Sequence, residues 1–249
     1  KIYIMASTSE TGHAKNVANF EDLISFVTGY GATYNPTKTP IKLANLNTLL
    51  TTAKTDVASV TTKTVAFNNS KNARMLLFDP LRSLSTRLVN AFIATDATTE
   101  MVKDAKTINR KLQGKRAKAI QAQTDPNDPA PNNISASQQS YDQLIEHFSK
   151  LIELLKTETT FAPNETDLKI VTLTAQLTAL KTANTNVSNA YTAVSNSRIA
   201  RDKTLYKDKV GMYNIVSDVK NYVKSLYGAT APEYKQISKL KFTKPRPTK

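Results

Sequence analysis

Apolar side chains recur through residues 46–78 in steps of four and three: Leu46, Leu50, Ala53, Val57, Val60, Thr64, Phe67 and, after the basic positions Lys71 and Arg74, Phe78. Steps of that kind sustained over so many turns make a heptad seam, the pattern of a long α-helix that packs lengthwise. The same register returns at Leu173, Leu177, Leu180, Asn184, Val187, Tyr191, Val194, Arg198, Arg201 and Leu205. Read alone, residues 171–178 alternate like a strand, and their valine and threonine content suits one. The helical register of the counterpart stretch decides against that reading. Two long helices are therefore expected, at 38–78 and 165–207, each on the order of 60 Å at 1.5 Å per residue.

The two registers belong to a larger self-match. Shifted by 127 positions, Pro36, Thr39, Lys42, Leu46, Leu50, Thr51, Lys54, Thr55, Val60, Asn69, Ser70, Ala73 and Arg74 fall without a gap on the same residue types, from Pro163 to Arg201. That is the signature of a tandem duplication. Around each long helix the flanking pattern also repeats. Val17, Phe20, Leu23, Ile24 and Val27 predict a helix over 12–29, matched in the second half at 138–156 by Phe148, Leu151, Ile152 and Leu154. Tyr34-Asn35-Pro36 and Phe161-Ala162-Pro163 predict turns clamped by an aromatic ring.

Pro80 should break the first long helix near Asp79, whereas Lys207-Asp208-Lys209 leaves the second free to run on. Next come Leu81, Leu84, Leu88, Phe92 and Ile93 in one half and Val210, Tyr213, Val216, Val219, Val223 and Leu226 in the other. Short helices from Glu100 and Glu233 close each half. The expected organisation is an N-terminal extension (1–11), a first helical repeat (12–123), a proline-rich linker (124–133), a second repeat (134–242) and a basic tail (243–249). Each repeat carries its own set of helices, so each is expected to fold by itself. The fold class is all-α: a tandem duplication of a helical bundle, each copy built on one long helix of about 40 residues.

Composition narrows the chemistry more than it identifies it. The chain has 249 residues, no Cys and a net charge of +14, with 17 of its 34 basic and 9 of its 20 acidic residues in positions 1–127. The absence of cysteine excludes disulfides, thiolate metal sites, iron–sulfur clusters and a cysteine nucleophile. The charge suits an anionic partner such as nucleic acid, an acidic protein surface or anionic headgroups, or simply a solvated surface. No run of 18 apolar residues occurs, so no membrane-spanning helix is expected. Residues 1–5 are too short for a secretory core, which favours the cytoplasm.

The basic residues within the seam are the sharpest local feature. Lys71 and Arg74, and again Arg198 and Arg201, stand where a heptad wants apolar side chains. A charge facing a core is costly unless paired. These four are therefore solvated, or paired with a carboxylate such as Asp22, Asp79 or Asp202, or gathered into an inward anion site. A second basic cluster comprises Lys103, Lys106, Arg110, Lys111, Lys115, Arg116 and Lys118, and its counterpart is the C-terminal Lys235, Lys239, Lys241, Lys244, Arg246 and Lys249. Both are candidate phosphate-facing arms, though no nucleic-acid recognition motif accompanies them. The only histidines, His13 and His147, lack a second ligand three or four residues on. Gly29-Tyr30-Gly31 is not a phosphate loop, and residues 125–133 lack the glycine and glutamate of a calcium loop.

The phrase Thr11-Gly12-His13-Ala14-Lys15-Asn16-Val17-Ala18-Asn19-Phe20, with Thr28-Gly29-Tyr30-Gly31-Ala32-Thr33-Tyr34-Asn35-Pro36, resembles a family of bacterial helical proteins. The resemblance covers the first third of the chain; it implies a bacterial origin and brings no activity, cofactor or site residue with it. The expectation is a non-enzymatic helical scaffold without cofactor or metal, whose partner is itself or another protein and whose helices leave seam exposed for self-assembly. Sequence-nonspecific binding of nucleic acid or another polyanion through the basic helix ends is the alternative. A membrane-active, pore-forming type of helical protein is the second alternative.

Overall fold

The computed structural model describes residues 12–115 and 138–245, and these are all-helical, without a strand. The helices are α1 (His13–Gly29), α2 (Leu43–Phe78), α3 (Leu81–Ile93), α4 (Thr99–Leu112), α5 (Tyr141–Thr157), α6 (Ile170–Tyr206), α7 (Met212–Tyr227) and α8 (Pro232–Ser238). The strand-like run at 171–178 is helical. Its threonines are accommodated because their hydroxyls bond the carbonyl one turn back, Thr174 to Ile170 at 2.8 Å and Thr178 to Thr174 at 3.0 Å. Thr48, Thr51, Thr52 and Thr55 do the same in α2. Each satisfied hydroxyl stops competing for the backbone, and the β-branched side chain stays helical. Ser140 and Thr98 cap α5 and α4 by accepting from the amides of Gln143 and Met101.

The chain forms two compact units, and their bounds differ from those of the expected repeats. Residues 12–66 with 191–245 make the first; residues 67–115 with 138–190 make the second. Each long helix thus begins in one unit and ends in the other, and each unit draws on both halves of the chain. The expected extension (1–11) and linker (124–133) lie outside the described residues.

In the first unit, α1 buries Phe20, Leu23 and Val27 against Leu46 and Ala53 of α2, Leu205 of α6, Met212, Val219 and Val223 of α7, and Ile237 of α8. The aromatic clamp expected at Tyr34 is present: its ring is buried, its hydroxyl donates to the carbonyl of Ile41 at 2.7 Å, and it meets Tyr222 edge-on. Lys38 pairs with Asp218. In the second unit, Phe78, Leu81, Leu88, Phe92 and Leu112 pack on Phe148, Leu151, Ile152 and Leu155 of α5 and on Leu173, Leu177 and Leu180 of α6. Phe161 closes on Phe92, and Arg87 pairs with Asp167. Ile93 and Leu226, placed on apolar faces by their spacing, are substantially exposed, and Val210 lies outside α7; Val89, Met212 and Ile215 are buried in their stead.

The second long helix does not run on as its sequence allowed. It stops at Tyr206, and the turn that follows places Lys209 at φ 67°. Gly211 then lies so close to the helix end that its amide donates to the carbonyl of Lys207 at 2.7 Å. A Cβ at Gly211 would stand 2.6 Å from the Lys207 nitrogen and 2.7 Å from its oxygen, both backbone atoms. The absence of a side chain, more than any breaker at 207–209, permits the stop. Gly211→Ala is expected to cost about 1–3 kcal/mol, read as a lowered thermal midpoint; an unchanged midpoint would mean the turn opens freely.

Candidate functional site

The four seam cations divide. Lys71 and Arg198 are exposed, with the Lys71 ammonium 5.3 Å above the Phe67 ring. Arg74 is half-buried in the second unit, its guanidinium 3.8 Å over the ring of Tyr141. Its Nη1 donates to Asn184 Oδ1 at 2.7 Å, and Asn184 Nδ2 donates in turn to Asp142 Oδ1 at 2.7 Å. A carboxylate is thus reached through an amide, and the cation faces an aromatic ring. Arg201, in the first unit, holds Asp202 directly through Nε and Nη2 at 2.9 and 2.8 Å. Neither arginine joins the other basic positions in an anion site. Arg74→Leu forfeits the stacking and the Asn184 bond and is expected to cost about 1–2 kcal/mol. Arg201→Leu, which releases a half-exposed Asp202, should stay within about 1 kcal/mol. Denaturant midpoints that reverse this order would contradict these assignments.

The first basic cluster does form one surface. On α4, Ala105 and Leu112 are buried, while Lys103, Lys106 and Lys111 are exposed and Arg110 partly so. Positions 103, 106 and 110 recur at helical spacing, with 111 beside them, so the stripe runs about 12 Å along the helix. Glu100 lies 3.9 Å from Lys103. Lys115 follows in the exposed chain beyond the helix, and Arg116 lies outside the described residues.

The C-terminal counterpart is not a free arm over its described length. Residues 241–243 are strapped to α1: Asn16 accepts from the Thr243 amide at 3.0 Å and donates to its carbonyl at 2.7 Å, and Asn19 donates to the Lys241 carbonyl at 2.6 Å. Lys220 donates to the Leu240 carbonyl at 2.6 Å and lies over the Phe242 ring; burial holds its ammonium below the usual lysine range. Lys239, Lys241 and Lys244 keep exposed side chains on this docked backbone, Lys244 lying 3.4 Å from Asp208. Arg246 is outside the described residues.

Asn16 also donates to Tyr206 Oη at 3.0 Å, and that oxygen lies 2.8 Å from His13 Nδ1. An amide hydrogen already occupies the phenol oxygen, so the phenol proton can go to Nδ1, which suits a neutral imidazole. Burial and the nearby Arg201 lower the His13 pKa against an opposing pull from Asp202. The sequence carried a sign of this network: Asn16 precedes Phe20, Leu23 and Val27 on the stripe that α1 buries, and a polar residue there needs partners.

A groove of about 680 Å³ opens in the second unit between α2 and α6, lined by Asn69, Ala73 and Leu77 on one wall and Ala175, Ala179 and Ala183 on the other, with Thr and Asn between. No charged side chain lines it. At its α2 end Leu76 and Leu77 are 69% and 40% exposed, and Val171, one turn before Ala175, is 74% exposed. The positions 127 residues away differ. Leu77 and Ala183 correspond to Thr204 and Asp56, which hydrogen-bond across the first unit at 2.6 Å.

Among the described residues there is no group of three or more carboxylates and histidines able to hold a metal ion, and no helix is long and apolar enough to cross a membrane. No family model matches the chain, and no curated protein or solved structure shows significant similarity to it.

Proposed function

We propose that the protein is a non-enzymatic helical scaffold that associates with further copies of itself, and that its chain is a tandem duplication whose two copies exchange halves to build the two units. The observation that carries this reading is the uncharged groove between α2 and α6, flanked by exposed leucine and valine. In a chain of net charge +14, an uncharged apolar surface is where like-charged copies meet without setting cation against cation. The alanines of the two walls let a helix backbone approach closely. Light scattering at about 50 and 500 mM salt tests this. A mass above that of one chain at both salts is expected, reduced to one chain by Leu76→Glu with Ala179→Arg. A single-chain mass at every concentration would remove the reading.

The α4 stripe supports a second reading, binding of nucleic acid or another polyanion without sequence preference. If it is right, affinity for a random duplex falls steeply with salt. Replacing Lys106 and Arg110 by Ala should then reduce the slope of log affinity against log salt by about 2. An unchanged slope would set this reading aside.

A further inference from the structure

Two ion pairs stand at corresponding places in the two units, and their signs are opposite. In the first unit Lys38, in the turn before α2, pairs with Asp218 of α7. In the second, Asp167, in the turn before α6, pairs with Arg87 of α3, whose guanidinium engages both carboxylate oxygens. We propose that these charges are a pairing code, which lets the first half of the chain join a second half and turns it away from another first half. This inference rests on the proposed duplication and is independent of self-association through the groove.

Buried positions establish the correspondence. A shift of 127 carries the buried Ile41, in the turn before α2, onto the buried Leu168, and Lys38 onto Glu165. A shift of 131 carries five of the six buried residues of α3 onto the five of α7, Leu81 onto Met212 and Phe92 onto Val223 among them, and carries Arg87 onto Asp218. Each half therefore bears one sign at both places. Lys38 and Arg87 are cations; Glu165, Asp167 and Asp218 are anions.

Each unit joins the start of one long helix to the end of the other. The first halves of two copies could meet the same requirement, start to end and end to start, since the apolar registers are alike. Lys38 would then face Arg87, and between two second halves Glu165 and Asp167 would face Asp218. The apolar seam attracts in either arrangement; the charges alone change sign. One exposed pair moves an equilibrium only about twofold to fivefold. Rearranging two chains turns four attractive contacts into four repulsive ones, so unlike halves should be favoured by at least about tenfold at low salt.

The test makes each half complementary to itself while both native pairs stay attractive. Lys38→Asp with Asp218→Lys does so, and Arg87→Asp with Asp167→Lys does so at the other pair, so that one poorly folded variant does not decide the matter. Full-length chains carrying heavy and light isotopes are refolded together at about 0.5 mM, because halves joined in one chain meet at an effective concentration in the millimolar range. They are then coupled with carbodiimide at about 50 mM salt. In the first variant, heavy-to-light links between the lysine introduced at position 218 and Asp167 should reach about a tenth or more of the links between positions 218 and 38. In the second, heavy-to-light links between Lys38 and the aspartate introduced at position 87 should do the same. Arg87→Lys keeps the native signs, and with a short amine-reactive reagent its heavy-to-light links between Lys38 and position 87 should be about tenfold rarer. Links as frequent there as in the swapped variants overturn the code and leave the duplication standing. Absence of like-half links from both swapped variants, while positions 38 and 218 still join, overturns the code together with the correspondence it is built on.

Discussion

Separated from residues 1–137, the fragment 138–249 is expected to lose cooperative folding as a monomer. The sequence alone led to the opposite expectation, because that fragment carries a full set of helices. In the folded chain those helices bury themselves against the other half. Phe148, Leu151, Ile152 and Leu155 of α5 pack with Phe78, Leu81, Leu88 and Phe92. Met212, Val216, Val219 and Val223 of α7 pack with Phe20, Leu23, Val27 and Leu46. Burying one such side chain is worth about 1.5–3 kcal/mol. Exposing even six of them removes as much as the whole net stability of a typical domain, about 5–15 kcal/mol. Circular dichroism at low micromolar concentration should show a broad, weak transition for either fragment. Mixing 1–137 with 138–249 should restore a cooperative one. A sharp, concentration-independent melt of 138–249 alone would show that each repeat closes on itself.

The second large effect is expected at Asn16. Its amide makes three hydrogen bonds, two with the backbone of Thr243 and one with Tyr206, and the residue is 2% exposed. Asn16→Ala removes all of them and leaves the buried Tyr206 short of a partner, at about 1 kcal/mol per bond, so the loss is about 2–4 kcal/mol. Because two of the bonds hold the C-terminal strap, the variant should also be cut by trypsin after Lys241 well before the rest of the chain yields. Asn19→Ala, which removes one bond to the Lys241 carbonyl, should cost about 1 kcal/mol. Native-like melting and trypsin resistance in Asn16→Ala would mean that the strap is held elsewhere.

How far the sequence could be read depends on the range of each interaction. Helices were legible because their signal is local. The stripe Phe20, Leu23, Val27 and the heptad steps from Leu46 placed α1 and α2 within a few residues of their observed ends. The break at Pro80 was legible because a proline acts on its own backbone; the stop at Tyr206 was not, since it depends on how closely Gly211 approaches Lys207. Pairing of the halves was illegible for a sharper reason. The two halves carry the same register of apolar positions, so each long helix offers a similar face to its own half and to the other, and no apolar pattern distinguishes the two arrangements. The seam arginines show the same limit. Their register flagged charges on a packed face, but the ring of Tyr141 beneath Arg74 and the carboxylate of Asp202 beside Arg201 are matters of tertiary placement.

The central claim, that each unit is assembled from both halves, is tested most directly by zero-length carbodiimide coupling of the intact protein. Peptide mapping is then done on the fraction of single-chain mass. Lys38 and Asp218 form an ion pair that joins the first half of the chain to the second within the first unit, whereas Lys54 and Glu21 pair within the first half. The account predicts an isopeptide link between Lys38 and Asp218 alongside the one between Lys54 and Glu21. Recovery of the Lys54–Glu21 link with Lys38 joined only to carboxylates of residues 1–127 would contradict it.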